Sequence, residues 1–295
     1  MRFSRIIIVG CGPAGIACAI QLKRMGIESL VIEKNQPGGM LSNANLIENY
    51  PGFPGGIPGP ELVNRFVKQL YSFDFYIHKD EILLTTYSKG IFSLNGKSGY
   101  YQCNILVIAS GTTPAIPENC PEKLVQTGLI HFDVSGLREE TGKTIGIIGA
   151  GDAAFDYSLS MAENGNKVFI FNRGSKVKAL KALTQKVFIN TQIKYFENHV
   201  LMNMETIDSK PLTAIFNSPS GKKKYSLDYL IFATGRNPAN GFFDKSLEDQ
   251  QDRLIGDHRL YLIGDVKNGS CRQVSVAVGD GVRAAMEIVY HESNQ

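Results

Sequence analysis

One local pattern occurs twice in this chain, and it leaves few folds open. Arg5 to Gly10 reads as a short buried strand that runs directly into Gly10-Cys11-Gly12-Pro13-Ala14-Gly15. Ile16, Ala19, Ile20 and Leu22 then follow as an apolar helix. The order strand, glycine turn, helix lets the chain bend sharply and brings helix N-terminal N–H groups close to a pyrophosphate, where the helix dipole favours negative charge. A second strand, Ser29-Leu30-Val31-Ile32, ends on Glu33, about 18 residues past Gly15. A carboxylate there accepts the ribose hydroxyls of an adenosine without a 2′-phosphate, as in FAD or NAD.

The second copy begins at Thr144-Ile145-Gly146-Ile147-Ile148, turns through Gly149-Ala150-Gly151-Asp152-Ala153-Ala154, and continues as a helix from Phe155 to Asn164. Its next strand, Lys167-Val168-Phe169-Ile170-Phe171, ends in Asn172-Arg173-Gly174-Ser175-Lys176-Val177-Lys178 and carries no acid. A cationic strand end suits a 2′-phosphate, because Arg clamps phosphate bidentately and Lys supplies a point charge, so NADPH is favoured over NADH. The competing reading of Arg173, Lys176 and Lys178 is a solvated basic turn.

Asn104-Ile105-Leu106-Val107-Ile108-Ala109-Ser110-Gly111 and Asp228-Tyr229-Leu230-Ile231-Phe232-Ala233-Thr234-Gly235 are near copies about 124 residues apart, and each closes one nucleotide-binding sheet. Thr112-Thr113-Pro114 and Arg236-Asn237-Pro238-Ala239-Asn240 follow them as linkers. The expectation is an α/β fold of two Rossmann-like dinucleotide-binding domains, the second inserted in the first. Residues 1–113 and 240–295 form the FAD-binding domain, and 114–239 the NAD(P)H-binding domain. Leu260-Tyr261-Leu262-Ile263-Gly264-Asp265 is a further strand, followed by Arg272-Gln273 and a helix from Val274 to about Val289. Asp265 is placed to hold ribityl hydroxyls, and the helix points its first amides at the flavin ring; the competing reading makes Asp265 a turn or cap residue.

At 295 residues the chain is long enough for two domains, each with its own core. A net charge of +3 with scattered lysines, Lys222-Lys223-Lys224 excepted, gives no concentrated basic face for nucleic acid. No apolar run approaches the roughly 18 residues of a membrane span, and the N-terminus lacks the h-region of a signal peptide, so a cytoplasmic location is expected. Cys11, Cys18, Cys103, Cys120 and Cys271 form no Cys-x-x-Cys and no metal-like pairing with the five histidines, which speaks against disulfides and metal.

The chain resembles the low-molecular-weight thioredoxin reductase family, the class II pyridine nucleotide-disulfide oxidoreductase fold. Besides both glycine turns, the match rests on Pro37-Gly38-Gly39-Met40-Leu41, Glu48-Asn49-Tyr50-Pro51-Gly52-Phe53-Pro54, Ala233-Thr234-Gly235-Arg236-Asn237-Pro238, and Gly264-Asp265 with Arg272-Gln273. It covers the chain nearly end to end. The resemblance implies non-covalent FAD, a hinge between domains and a homodimer. Motifs and resemblance together give an FAD set of Gly10, Gly12, Pro13, Ala14, Gly15, Glu33, Lys34, Gly39, Met40, Leu41, Asn49, Ile82, Gly111, Gly264, Asp265, Arg272, Gln273 and Val274. The NADP set is Gly149, Gly151, Asp152, Ala153, Asn172, Arg173, Lys178 and Gly235. No residue pair is poised for general acid–base work, so no catalytic residue is assigned; hydride transfer depends on orientation.

The sequence departs from the family in three places. Met40 stands where the family's flavin loop has glutamine. Asn172-Arg173-Gly174 stands where it has His-Arg-Arg, with Lys178 at the place of a later arginine. The window of the redox dithiol reads Phe132-Asp133-Val134-Ser135. Without a thiolate the relay from FAD to thioredoxin cannot run. This cysteine-less arrangement resembles the ferredoxin/flavodoxin–NADP reductases built on the same scaffold, which implies passage of electrons from NADPH through FAD to a ferredoxin- or flavodoxin-like protein or a small oxidant. Those reductases carry an extension past the last helix that lays an aromatic ring on the flavin; Tyr290 or His291 could take that place across a dimer, and the competing reading is a solvated helix end. Two other readings stay open: a disulfide reductase using Cys11, and a non-enzymatic flavin-binding or sensing protein with a decayed nicotinamide site.

Overall fold

Residues 1–118, 120–206 and 211–293 are described by the structure, a computed structural model. The chain groups into two compact units. One comprises Met1–Ser42, Ile47–Thr113 and Asn237–Gln295, the other Asn43–Leu46 and Pro114–Arg236. The grouping of Asn43–Leu46 with the inserted unit differs from the division read from the sequence, where nothing in that polar stretch signals it.

In the first unit a parallel five-stranded sheet runs in the order Leu260–Leu262, Ile105–Ile108, Ile6–Val9, Leu30–Glu33, Ile77–Lys79. Ile6–Val9 is buried along its whole length, as expected of a β-branched run covered on both faces. Ile6, Ile8, Val31 and Val107 pack to one side with Ile16, Leu22, Ala285 and Ile288 from the flanking helices. Ile7, Val9, Ile32 and Leu106 pack to the other, against Phe92 and Leu94 of an antiparallel sheet and Leu247 and Leu254 of the Lys245–Gly256 helix. Each fully buried Ile or Leu contributes roughly 1.5–3 kcal/mol. The helix Pro13–Arg24 starts on proline and ends on Lys23 and Arg24, complementing its dipole at the C-terminus. Its small residues let the helix Val274–Ser293 come close: a Cβ on Gly281 would sit 2.2 Å from the Ala14 carbonyl oxygen.

The inserted unit repeats the plan. Its parallel sheet runs Ile130–His131, Tyr229–Phe232, Thr144–Ile148, Lys167–Phe171, Ile193–Phe196. Beside it lies an antiparallel sheet of Val200–Thr206, Leu212–Ser218 and Gly221–Leu227. Phe171, Phe216 and Leu227 meet in the core, with the Phe171 and Phe216 rings stacked at 4.1 Å. The lysine run Lys222-Lys223-Lys224 lies exposed on Gly221–Leu227, an edge strand of that sheet. Lysines on an edge discourage further strand pairing, which accounts for them structurally.

Candidate dinucleotide sites

The first glycine turn is held by backbone bonds to the strands on either side. The Gly10 N–H donates to the Ile32 carbonyl at 2.8 Å, and the Ala109 N–H to the Val9 carbonyl at 2.8 Å, so the turn sits at the carboxyl ends of three adjacent strands. Gly10 has φ of 105°, and a Cβ there would lie 2.3 Å from the Ala109 carbonyl oxygen. A Cβ on Gly15 would lie 2.0 Å from the Gly10 carbonyl oxygen. On Gly12 it would meet nothing within 4 Å, so the turn faces open space. No side chain caps the Pro13–Arg24 helix and its first turn holds no acid. The Ile16 N–H bonds the Gly12 carbonyl, and the amides before it have no intrahelical acceptor. An anion fits that terminus.

Glu33 closes this site. Its carboxylate accepts the Cys11 N–H at 2.7 Å and the Asn35 N–H at 2.8 Å, and it is 9% exposed. The negative strand end suits a ribose with free hydroxyls and opposes a phosphorylated one. The Gly38 N–H donates to the Cys11 carbonyl at 2.7 Å, and a Cβ on Gly39 would reach Gly12 Cα at 3.6 Å. Gly39, half-buried Met40 and buried Leu41 thus lie in the short helical turn Gly39–Asn43 beside the glycine turn. Gly264 has φ of 72° and lies against Ala14 and Ala277. Asp265 follows it in a helical turn, Gly264–Val266. Asn49 Nδ2 donates to Gln273 Oε1 at 2.8 Å, joining the Glu48–Pro54 loop to the residues before the Val274–Ser293 helix. Ile82 is buried with the core around Phe92, and exposed Lys34 stands 3.9 Å from Glu81. Gly111 has φ of 68°, and its carbonyl accepts the Ala239 N–H at 3.0 Å.

The second turn repeats these bonds. The Gly149 N–H meets the Phe171 carbonyl at 3.0 Å and the Ala233 N–H the Ile148 carbonyl at 2.9 Å. Gly149 has φ of 141°, with its Cβ position 2.5 Å from the Ala233 carbonyl oxygen, while Gly151 is open. Ala153 is exposed on the first turn of the Asp152–Glu163 helix, and Gly235 is exposed with φ of 130°. The strand end is different. Asn172 is buried, and its carboxamide bonds the Lys176 carbonyl, the Tyr195 hydroxyl at 2.8 Å and the Gly174 N–H. The loop after it is stapled back to the turn, Lys178 N–H to the Ala150 carbonyl at 2.8 Å and Leu180 N–H to Asp152 Oδ1 at 2.8 Å. Arg173, Lys176 and Lys178 are all exposed. Cations on a loop tied to the glycine turn suit a dinucleotide with an additional phosphate.

The window Phe132–Ser135 holds a packed turn. Asp133 Oδ1 accepts the Ser135 N–H at 2.8 Å and its hydroxyl at 2.6 Å, Val134 is buried, and Phe132 stacks on Phe232. His131 bonds the Gly128 carbonyl and lies edge-on to Tyr229. Cys11, Cys18 and Cys103 are buried and all five cysteines are free. Burial, with the Glu33 charge adding to it, pushes the Cys11 thiol up to about 12, and burial alone brings Cys18 to about 12. Neither forms a thiolate near neutral pH. Tyr290 and His291 lie 16 and 17 residues along the helix from Val274, about 24–26 Å at its rise, and His291 stacks on His258 with centroids 3.4 Å apart. Among the described residues no group of three metal-ligating side chains occurs, and no helix is long and apolar enough to cross a membrane.

Residues 4–281 match the family model of the pyridine nucleotide-disulphide oxidoreductases. The chain belongs to this family. It is similar to thioredoxin reductase of Bacillus subtilis, at 25% identity over 97% of this chain and 94% of the relative. Among solved structures it resembles Lactococcus lactis thioredoxin reductase, with a TM-score of 0.86 at 23% identity over 98% and 99% of the two chains. T. acidophilum thioredoxin reductase gives a TM-score of 0.85 at 24% identity over both full lengths. These likenesses show the thioredoxin reductase-like fold with its two dinucleotide-binding domains. The thioredoxin reductase family binds FAD and uses NADPH, and this chain is an FAD-dependent NAD(P)H oxidoreductase.

The linkages among these residues were not readable from the sequence. Neither the Asn49–Gln273 bond nor the anchoring of the Gly264–Val266 turn by Asp280 leaves a motif, because both join positions far apart in the chain.

Proposed function

We propose that this chain passes electrons from NADPH through FAD to a ferredoxin- or flavodoxin-like protein or a small oxidant, without a dithiol relay. The Phe132–Ser135 window carries this reading. It holds an Asx turn and a buried valine where the thioredoxin reductases that the chain resembles carry their Cys-x-x-Cys, while both glycine turns are intact. Bound flavin supplies the exchange of a hydride for single electrons.

In this reading the unit containing Gly10–Gly15 takes FAD. The amides before Ile16 hold its pyrophosphate, Glu33 its adenosine ribose, and Gly264-Asp265 its ribityl chain, with Arg272, Gln273 and Val274 at the ring end. The unit containing Gly149–Ala154 takes NADPH, with Arg173 and Lys178 on the 2′-phosphate. No side chain moves a proton, and the protein's contribution is to orient the two partners. The resemblance to the thioredoxin reductases implies a homodimer. The disulfide-reducing alternative rests on Cys11, which is buried, and the exposed thiol of Cys271 next to Arg272 must be tested beside it.

The test is anaerobic. Purified yellow protein is titrated with NADPH and with NADH, then offered thioredoxin disulfide, a ferredoxin, a flavodoxin and ferricyanide. Bleaching by NADPH with reoxidation by the one-electron carriers, and none by the disulfide, is expected. Disulfide reduction that keeps pace with bleaching and disappears in Cys271→Ser would overturn the proposal in favour of the thiol reading. Bleaching by neither nucleotide would leave a flavin-binding protein.

A further inference from the structure

Asp280 is part of no recognised motif, yet one of its oxygens holds both ends of the turn that carries Asp265. Its Oδ2 accepts the Gly264 N–H at 3.0 Å and Asn268 Nδ2 at 2.6 Å, and its Oδ1 lies 3.5 Å from Lys267 Nζ. The side chain is 11% exposed, so these bonds form largely out of water. Gly264 and Asn268 bracket Asp265, and the Lys267 N–H closes the same turn onto the Gly264 carbonyl at 3.1 Å. Gly264 is also confined from behind, since a Cβ there would stand 2.8 Å from the Ala14 Cβ. Asp280 lies on the Val274–Ser293 helix, six positions after its first residue, about 9 Å along the axis.

We propose that Asp280 is a positioning residue for the flavin: it locks the Asp265 carboxylate in register with the start of the Val274–Ser293 helix. The proposal rests on the reading of Asp265 and the helix start as flavin contacts. If the ribityl chain and the ring are held by two separate segments, some third group must fix one segment to the other, and Asp280 is the side chain that bonds both ends of the turn from within the helix. In metal sites, outer groups that orient a direct ligand change affinity by about 10–100-fold when removed, and the lower end of that range is the expectation for Asp280.

The experiment titrates FAD into the full-length apoprotein of wild type, Asp280→Ala, Asp280→Asn, Asp265→Ala and the Asp265→Ala/Asp280→Ala double variant. The readouts are quenching of flavin fluorescence, the visible circular dichroism of the bound flavin, and melting of the apoprotein. Asp280→Ala is expected to weaken FAD by about tenfold and to alter the flavin dichroism. Asp280→Asn, which keeps an oxygen for both donors, stays within about threefold of wild type. The double variant matches Asp265→Ala within about twofold, because Asp280 acts through Asp265. Unchanged FAD affinity and dichroism in Asp280→Ala, or losses that multiply in the double variant, overturn the proposal. An Asp265→Ala variant with wild-type affinity overturns the underlying reading, and the proposal with it, so the two failures are told apart. If Asp280→Ala does not fold, Asn268→Ala removes one of the two bonds and is judged by the same criteria.

Discussion

The two glycine turns share a backbone and differ in what closes them. In the first, a side chain reaches back: Glu33 takes the Cys11 N–H at 2.7 Å and leaves a buried negative charge at the strand end. In the second, the backbone closes the turn through Lys178 N–H and the Ala150 carbonyl, and the strand-end side chain, Asn172, is spent on its own loop and on the Tyr195 hydroxyl of the next strand. The geometry of the glycine turn therefore needs no particular strand-end residue. That residue is free to set charge, negative in one unit and absent in the other, where Arg173 and Lys178 supply a positive loop. The helices after the turns differ as well. Pro13–Arg24 buries Ala14, Cys18 and Ala19 and has no carboxylate, whereas Asp152–Glu163 carries Asp156, whose carboxylate accepts the Asn45 N–H at 2.9 Å.

The sharpest break in the comparison comes from Gly10→Val and Gly149→Val. Each places a β-branched side chain at positive φ against a carbonyl oxygen, a cost of about 3 kcal/mol or more. On the proposed assignment, Gly10→Val yields colourless protein, while Gly149→Val stays yellow and loses bleaching by NADPH; absorbance spectra before and after NADPH check both. Exchange of charge comes next. Arg173→Ala and Lys178→Ala are each expected to raise the NADPH concentration for half-maximal bleaching by about tenfold, the loss of one charge-assisted contact, with NADH unaffected. An equal effect on both nucleotides would mean that the loop reads something other than the 2′-phosphate.

The helix comparison predicts a pH dependence confined to the inserted unit. Burial pushes the Asp156 carboxyl up to about 6, with the Glu163 and Asp152 charges acting in the same direction and the Asn45 and Leu46 amides opposing them. An unfolded aspartate titrates near 3.9. Between those values the folded chain holds a proton that the unfolded chain has lost, so this group's contribution to stability falls as pH rises through about 4 to 6. Asp156→Asn is expected to be more stable than wild type by about 1–3 kcal/mol above pH 6.5. The advantage vanishes below about pH 4, as thermal melts across that range would show. The smallest expected effect is at Cys11. Its thiol stays protonated near neutral pH, so iodoacetamide leaves NADPH bleaching unchanged and the residue unlabelled in the native protein. Inactivation with labelling at Cys11 would revive the disulfide reading.

Much of the fold was legible because its signals are local. Ile6–Val9 and Thr144–Ile148 are apolar runs, each glycine turn lies within a few residues of its strand, and the repeat announces the second unit. The place of Glu33 at the end of its strand is legible in the same way. The packing of Asn172 is not, because its carboxamide donates to the Tyr195 hydroxyl, one strand further on. The sequence gives the last helix but not how far Tyr290 and His291 stand from its start, which only the helix itself fixes.

The sequence by itself determined what depends on residue type at short range: two turns that require glycine, an acid at one strand end and cations past the other, and no sulfur in the dithiol window. Tertiary structure alone decided what depends on distant segments meeting. It buried Cys11 beside Glu33 and raised its pKa, brought Asn49 to Gln273, and set Asp280 over the turn that carries Asp265. The physical reason is that hydrogen bonds and desolvation act over a few ångströms in space, whatever the separation along the chain.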